Sequence, residues 1–515
     1  MKKYFGFLLS GLAIFAQTAT AQTPEEALRA SWFTPNGTAR NMAIGGVMGS
    51  LGGDITANHV NPAGIGLYKT RELVLSPGFL LNNNKFNYRG TDSSTNRSGM
   101  ALGTSGLVLG GMNRSGYSKW TSSAFAISVN QLANYNNQVS FSGQNNFSSF
   151  TEKYLEELTR DRADTNAALS NYIFGSSLAF RTFLIDTLRG PGGSVAGYQS
   201  LVPISSGVTQ SYNSRTSGGF NEIALGVAGN MADKLYVGGS FTIPLIKYTR
   251  ELVYSERDIT NDPTNQFNFF EYRETYTSQG AGIGLKLGTI YKPTEFVRIG
   301  FAFHSPQIIS MTDRIRSSIN ADTEGYAGRR SESSDNLNNG RAGTSKYSMT
   351  TPWRAIGSFS LVFREIKDTR LQRGFISADI EYVHYKGARF AVTGENAADI
   401  GFRDYYSALN EAIIDNYKGN INAKIGGELK FNTIMFRLGA AYFGSPYQDE
   451  AIRASRMIGT GGLGYRNKGI FIDLSYSHIM NKDAVFAYRL NDKPNTFAEQ
   501  RGNRGNIMLT LGFKL

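Results

Sequence analysis

The chain has 515 residues, no cysteine, four histidines and a formal net charge of +12; 41% of it is hydrophobic, with 58 glycines, 27 tyrosines and 33 phenylalanines. Disulfides and thiolate metal sites are therefore excluded, four scattered histidines argue against a metal centre, and a mean hydropathy of −0.28 argues against a bundle of apolar membrane helices. Abundant glycine and aromatic residues at modest hydrophobicity fit strands that are apolar on one face only.

Met1 to Ala21 carries Lys2 and Lys3, then the apolar run Tyr4 to Ala16, then Ala19-Thr20-Ala21. This is the pattern of a cleaved secretory signal over residues 1–21, too short in its apolar part to span a bilayer. Cleavage before Gln22 lowers the charge from +12 to +10. For an exported chain such a balance suits acidic lipid headgroups or sugars, and no basic cluster interleaved with aromatics suggests nucleic acid. Thr23 to Thr70 lacks strand alternation. It holds a short helical start (Pro24 to Ala30), the pairs Gly45-Gly46 and Gly52-Gly53, and Asn61-Pro62-Ala63-Gly64, which favour compact irregular backbone. Met42, Ile44, Val47, Met48, Leu51, Ile55, Val60 and Ile65 make it too apolar for a disordered leader. Residues 22–71 are thus a candidate plug ahead of a barrel over 72–515, and His59 reads as a packed polar residue.

Alternation marks about fourteen strands, near 72–90, 99–112, 119–141, 218–230, 234–255, 270–291, 295–316, 344–365, 373–394, 420–431, 433–445, 456–467, 469–489 and 504–515. In the last, Ile507, Leu509, Leu511 and Phe513 point one way and Asn506, Met508, Thr510 and Lys514 the other. Long gaps at 142–217, 256–269, 317–343, 395–419 and 490–503 alternate with turns at Ala232-Asp233, Lys292-Pro293-Thr294, Asn432-Thr433 and Asn467-Lys468. Long outer loops and short periplasmic turns are the signature of an all-β, transmembrane antiparallel barrel with its C-terminus on the periplasmic side.

Three stretches carry candidate function. Phe150 to Arg189 has helical spacing and reads either as a cap on the barrel rim or as an apolar landing surface for ligand, with Phe174, Phe180, Phe183 and Leu184 on it. Residues 317–343, rich in Arg, Ser, Asp, Asn and Gly, read as a solvated mobile loop. In the third strand the polar run Asn130 to Asn137 breaks the alternation, either because it rises above the membrane or because the wall is distorted there. Projection of the strands puts Lys286, Arg298, Asp379, Glu381, Lys424, Glu428, Arg437 and Asp473 on the polar face, to pair with one another or to hold a plug.

The stretches G-T-A-R-N-M-A-I-G-G (37–46), D-I-T-A-N-H-V-N-P-A-G-I-G (54–66), V-R-I-G-F-A-F-H-S-P (297–306), T-P-W-R-A-I-G-S-F-S (351–360) and I-S-A-D-I-E-Y (376–382) resemble the FadL/TodX outer-membrane transporters of hydrophobic compounds. The resemblance implies a fourteen-stranded barrel blocked by an N-terminal hatch that includes Asn61, Pro62 and Ala63. It also implies a greasy pocket and sideways exit of long-chain fatty acids or similar molecules through the third strand. Implied partners are the bilayer with its lipopolysaccharide, a hydrophobic ligand, and the barrel-assembly machinery during biogenesis. The sequence also resembles family members of Bacteroidetes-type bacteria, some of which serve as secretion-system accessory barrels, so docking of secreted cargo is the alternative; an aqueous porin is disfavoured by the apolar plug. Enzyme signals are weak and no cofactor is expected. Gly459-Thr460-Gly461-Gly462-Leu463-Gly464 runs into another strand instead of a helix, no G-x-S-x-G elbow exists, and adjacency puts His304-Ser305 and Ser477-His478 on opposite strand faces.

Overall fold

A computed structural model describes residues 23–113, 118–363, 373–394, 399–450 and 454–515; the expected signal segment, 1–21, lies outside them. Fourteen antiparallel strands form a ring. In chain order they are Arg71–Leu75 continued by Pro77–Tyr88, Gly99–Leu102 with Ser105–Met112, Trp120–Asn134 with Asn137–Asn145, Val208–Met231, Leu235–Asp258, Phe269–Tyr291, Val297–His304 with Ile308–Asp322, Gly343–Thr350 with Arg354–Phe363, Gly374–His384 with Arg389–Val392, Gly419–Phe431, Ile434–Phe443, Arg456–Asn467, Ile470–Val485 and Ala498–Lys514. Each pairs with its chain neighbour, and the last returns to the first, Leu75 facing Leu511 and Gly78 facing Met508, so the sheet closes without an edge. Among the described residues no helix is long and apolar enough to cross a membrane.

Alternation decides which face meets lipid. In the eleventh strand Leu438 is 75% exposed while its neighbour Arg437 is 2% exposed, and Ile434 and Phe436 join Leu438 outside. In the fourteenth, Ile507 and Phe513 are exposed and Leu509 and Leu511 half-buried, whereas Met508 and Thr510 are buried inside. The turn between the fourth and fifth strands carries positive φ at both Ala232 (54°) and Asp233 (55°), the geometry that matches hairpin twist.

The outer half departs from the sequence reading in three places, for one reason. The fourth strand begins at Val208, ten residues earlier than expected, and the fourteenth begins at Ala498, six earlier. Residues 317–343, expected to be a mobile loop, contain Arg329–Ser333 laddered onto Ser318–Asp322 and a helical turn at Ser334–Leu337. Above the membrane a paired backbone needs no apolar face, so alternation does not report it. The helix Ile400–Asn416 was also missed, though Asp399 caps it, accepting from the Gly401 amide at 2.8 Å, and Phe402, Tyr406, Leu409 and Ile413 form its buried stripe.

The 146–207 insertion packs as a cap on the rim. Helices Glu152–Arg160, Thr165–Ser170 and Ser176–Arg181 precede a small hairpin, and Phe150, Tyr154, Leu158, Leu178 and Leu184 bury against Tyr254, Phe270, Tyr272 and Tyr488. The Phe150 ring stacks on Tyr254 at 4.5 Å.

Leu511→Arg places a guanidinium in the lipid-facing row of the closing strand. It is expected to cost about 2 to 4 kcal/mol or to block assembly, read as lost heat-modifiable mobility and a lowered urea midpoint; normal stability contradicts this orientation of the strand.

Candidate functional site

Residues 37–67 fill the ring and are held by hydrogen bonds from around its circumference. Thr38 caps the short helix Ala39–Ala43 by accepting from the Asn41 amide at 3.2 Å, and its hydroxyl donates to Asp54 at 2.7 Å, which folds the segment on itself. The Ala39 amide then donates to Thr510 of the fourteenth strand at 2.7 Å and the Gly45 amide to Thr460 of the twelfth at 3.0 Å. Asp379 of the ninth strand accepts from the Met48 and Gly49 amides, both at 3.0 Å, through one oxygen, while its other accepts from Ser358 at 2.5 Å. Arg298 of the seventh donates to the Leu51 carbonyl at 2.6 Å, and Lys286 of the sixth to the His59 carbonyl at 3.0 Å. Irregular backbone cannot satisfy itself, so charged wall side chains supply what a regular ladder would.

The Asn61-Pro62-Ala63 turn sits where this grip is tightest. Asn61 donates to the Gly49 carbonyl at 2.6 Å and to the Thr289 carbonyl of the wall at 3.1 Å, and accepts from the Ala63 amide at 3.1 Å. Pro62 then opens a 3-10 turn, Pro62–Leu67, where its missing N–H leaves no orphan. The wall makes room with glycine: a Cβ at Gly288 would fall 1.8 Å from the Asn61 side-chain oxygen, and Gly426 and Gly439, paired in register, would meet the Ile44 backbone at 2.1 and 2.3 Å. His59 is a packed polar residue, bridging Glu222 at 2.8 Å and Ser128 at 2.9 Å.

Of the eight lumen charges read from the sequence, seven are buried and Lys424 is nearly so. They take both roles. Arg437 pairs with Glu428 and Asp473, each at 2.6 Å, and Lys424 with Glu381 at 3.0 Å. Asp379, Arg298 and Lys286 hold the plug, and Glu428 also reaches Arg40 at 3.4 Å. Glu222 escaped the reading although it lies in the fourth strand in step with the buried Phe220 and Ala224; it joins His59, Lys286 and Gln307 in one buried cluster.

The third strand is distorted where its alternation fails. Pairing with the fourth strand shifts between Phe220 and Asn221, leaving Leu132 without a partner. The ladder to the second strand stops at Ser105 and Val129, and none joins Gly99–Leu102 to Asn130–Asn134. Side chains span the gap instead: Gln131 accepts from the Leu102 amide at 3.3 Å and Asn134 donates to the Met100 carbonyl at 3.0 Å. Asn36, from the segment before the plug, donates to the Leu102 carbonyl at 2.8 Å and to the Gln131 carbonyl at 2.6 Å, so one amide closes both lips.

Behind this gap lies a cavity of about 370 Å³. Its apolar lining includes Leu28, Trp32, Phe33, Leu132, Ile458 and Ile479; its cations are Arg29, Arg456 and Arg504, and its one carboxylate is Glu25, which faces Arg489 at 3.5 Å. Arg456 stacks 3.5 Å over the Trp32 ring, with the Asp483 carboxylate acting on it, and Arg504 donates to the Asn134 carbonyl at 3.1 Å. Phe174, Phe180, Phe183 and Leu184 do not share one face. Leu184 is fully buried in the cap and Phe180 packs on Tyr198, Phe183 lies against Tyr326 and Arg330, and Phe174 covers the Tyr248, Tyr276 and Ile315 cluster.

The helix Pro24–Arg29 that roofs the cavity is docked by a carboxyl. The Tyr276 hydroxyl lies 2.7 Å from Glu26 and 2.8 Å from Asp313, and one hydroxyl proton serves only one of them, so a neutral Glu26 completes the contact. Burial, with Asp313 adding to it, pushes the Glu26 carboxyl up to about 7 against the lowering effects of Arg29, Tyr276 and Arg250. Because the docked value is raised, docking is strongest below the ordinary carboxyl value of 4.5 and weakens as pH rises to about 7, by up to about 1.4 kcal/mol per pH unit. Hydrogen exchange over residues 24–33, corrected for intrinsic rate, is expected to be less protected at pH 8 than at pH 5, and Glu26→Gln to remove the difference; equal protection in the native chain contradicts this.

Comparison with known proteins places this geometry. Residues 204–507 match the family described as outer membrane protein transport protein (OMPP1/FadL/TodX), and no significant match exists among curated protein sequences. Among solved structures, a Pseudomonas aeruginosa FadL homologue superposes with a TM-score of 0.54 at 13% identity, covering 93% of this chain and 99% of its own. The Pseudomonas putida toluene transporter TodX does so at 0.50 and 11% identity, covering 94% and 99%. At such identities the structures establish the fold alone, whereas the family match spans more than half of the sequence: the chain belongs to the OMPP1/FadL/TodX family of outer-membrane transport proteins.

Proposed function

We propose that this protein admits hydrophobic small molecules across the outer membrane without chemistry, and that amphiphiles with a carboxylate head, long-chain fatty acids, are the class it takes. Residues 22–71 act as the hatch, with Asn61, Pro62 and Ala63 as its wall anchor, and 72–515 as the barrel. The observation that carries the reading is the cavity behind the third strand. Each methylene moved from water onto Leu28, Phe33, Leu132 and Ile479 gains about 0.8 kcal/mol. Arg456 and Arg504 on its wall would fix an anionic head at the same place. The gap between Gly99–Leu102 and Asn130–Asn134 is bridged by the side chains of Asn36, Gln131 and Asn134, whose rotation opens that cavity toward lipid, so an apolar tail leaves sideways without crossing the polar hatch. Phe174 and Phe183, half-buried on the extracellular cap, offer apolar surface for first contact. An internal cavity with an apolar side and a cationic side supports uptake over docking of secreted protein. The bilayer with its lipopolysaccharide surrounds the barrel, and the barrel-assembly machinery acts during biogenesis.

Two measurements test the route. Deleting 37–66 removes the segment in the ring and is expected to open steady ion conductance in planar bilayers, where the intact chain is silent; silence after deletion contradicts the hatch. Ala101 and Ala133 line the cavity on opposite sides of the gap, so the pair Ala101→Cys and Ala133→Cys, in a chain free of other cysteines, can lock it. Oxidised, this variant is expected to stop oleate uptake into proteoliposomes and, reduced, to restore it; full uptake in the oxidised form rules out exit here.

A further inference from the structure

Just above the lipid-facing band, three cations stand side by side on the outer wall. Lys85 of the first strand pairs in register with Arg501 of the fourteenth, and Arg501 with Lys482 of the thirteenth. All three are exposed, and they share the outward parity of Leu81 and Met480, while Phe86 and Gln500 beside them are buried inside. The row lies four residues beyond Leu81 and two beyond Met480, which is about 7 to 14 Å along a strand. That is the level of lipid headgroups.

Neighbouring strands run about 4.8 Å apart, and like charges directly opposite weaken a strand pair. Here two such juxtapositions are consecutive, at the seam where the barrel closes. No direct contact relieves them: none of the three side chains makes an ion pair or hydrogen bond with a described residue. The acid one outward step above, Glu499, faces Asn87 and Ala484. A row of cations held together at headgroup height is complementary to an anion supplied from the membrane.

We infer that Lys85, Arg501 and Lys482 form a binding site for the phosphate groups of an outer-leaflet glycolipid, the phosphorylated disaccharide of lipopolysaccharide. Three cations spread over about 10 Å of wall engage a phosphorylated sugar headgroup by charge-assisted hydrogen bonds, while its acyl chains lie along the apolar rows beneath. The bound lipid screens the repulsion across the seam. The inference depends on the outer-membrane placement and on the register, and is independent of which cargo passes through the barrel.

The test uses the full barrel in detergent, freed of endogenous lipid, with titration of bisphosphorylated lipid A and of the same lipid after phosphatase treatment. The wild-type chain is expected to bind the phosphorylated form at least about tenfold more tightly, with the preference shrinking as salt rises. The Lys85→Gln, Arg501→Gln, Lys482→Gln triple variant is expected to lose that preference. A matched variant of three other exposed cations, Arg314→Gln, Arg316→Gln and Lys346→Gln, should keep it. Equal affinity of the wild-type chain for both lipids overturns the proposal without reference to any variant, as does equal loss in the matched variant. Displacement of lipid A by inorganic phosphate at equal concentration would mark a free-anion site and overturn the lipid assignment.

Discussion

A hydrocarbon bilayer offers no hydrogen-bond partner to a peptide group, and the architecture follows from that constraint. The first and last strands must meet, and they do, over Glu72 to Leu75 and again over Gly78 to Asn87. Where the ladder between the second and third strands fails, above Ser105 and Val129, side-chain amides are concentrated. Asn36, Gln131 and Asn134 supply the donors and acceptors that the missing strand pairing would have supplied. A backbone–backbone seam is broken only by unfolding the wall, whereas a seam of side-chain amides opens by rotation about side-chain torsions. The gap is therefore a site of low local stability in the wall.

The same accounting explains the polar interior. The plug is irregular, so its amides and carbonyls are satisfied from outside, by Asp379, Arg298, Lys286, Thr460 and Thr510. Charges so placed are costly unless paired, and the Arg437, Glu428, Asp473 and Lys424, Glu381 groups balance one another across adjacent strands. Arg456 and Arg504 stand apart from this balance beside the cavity, and Lys85, Arg501 and Lys482 stand apart from it on the outer wall. Neither set makes a direct ion pair with a described residue, and one faces the lumen while the other faces the lipid.

Much of the fold was legible because alternation is a local property. Where lipid presses on one face, as from Ile507 to Phe513 or Ile434 to Leu438, each residue declares its side through its neighbours alone. Where water bathes both faces the signal vanishes, so the upper fourth strand and the Arg329–Ser333 ladder were read as loop. Polar breaks carried information too: Asn130 to Asn137 marked the distorted strand, and the glycine and proline pattern of 37–66 marked the plug. The helix Ile400–Asn416 was missed although its cap and stripe were present in the sequence.

Sequence by itself determined the class of wall, the sign of each face, the periplasmic turns and the identity of the segment that could not be wall. Only the tertiary structure decided who meets whom. Glu222 finds His59, 163 residues away, and Ala39 finds Thr510 across 471, because closure of the ring brings chain ends together in a register that no local pattern encodes. The physical reason is the range of the interactions: which face a side chain takes is set by its neighbours in the strand and the solvent, whereas its partner is set by the stagger at which fourteen strands close.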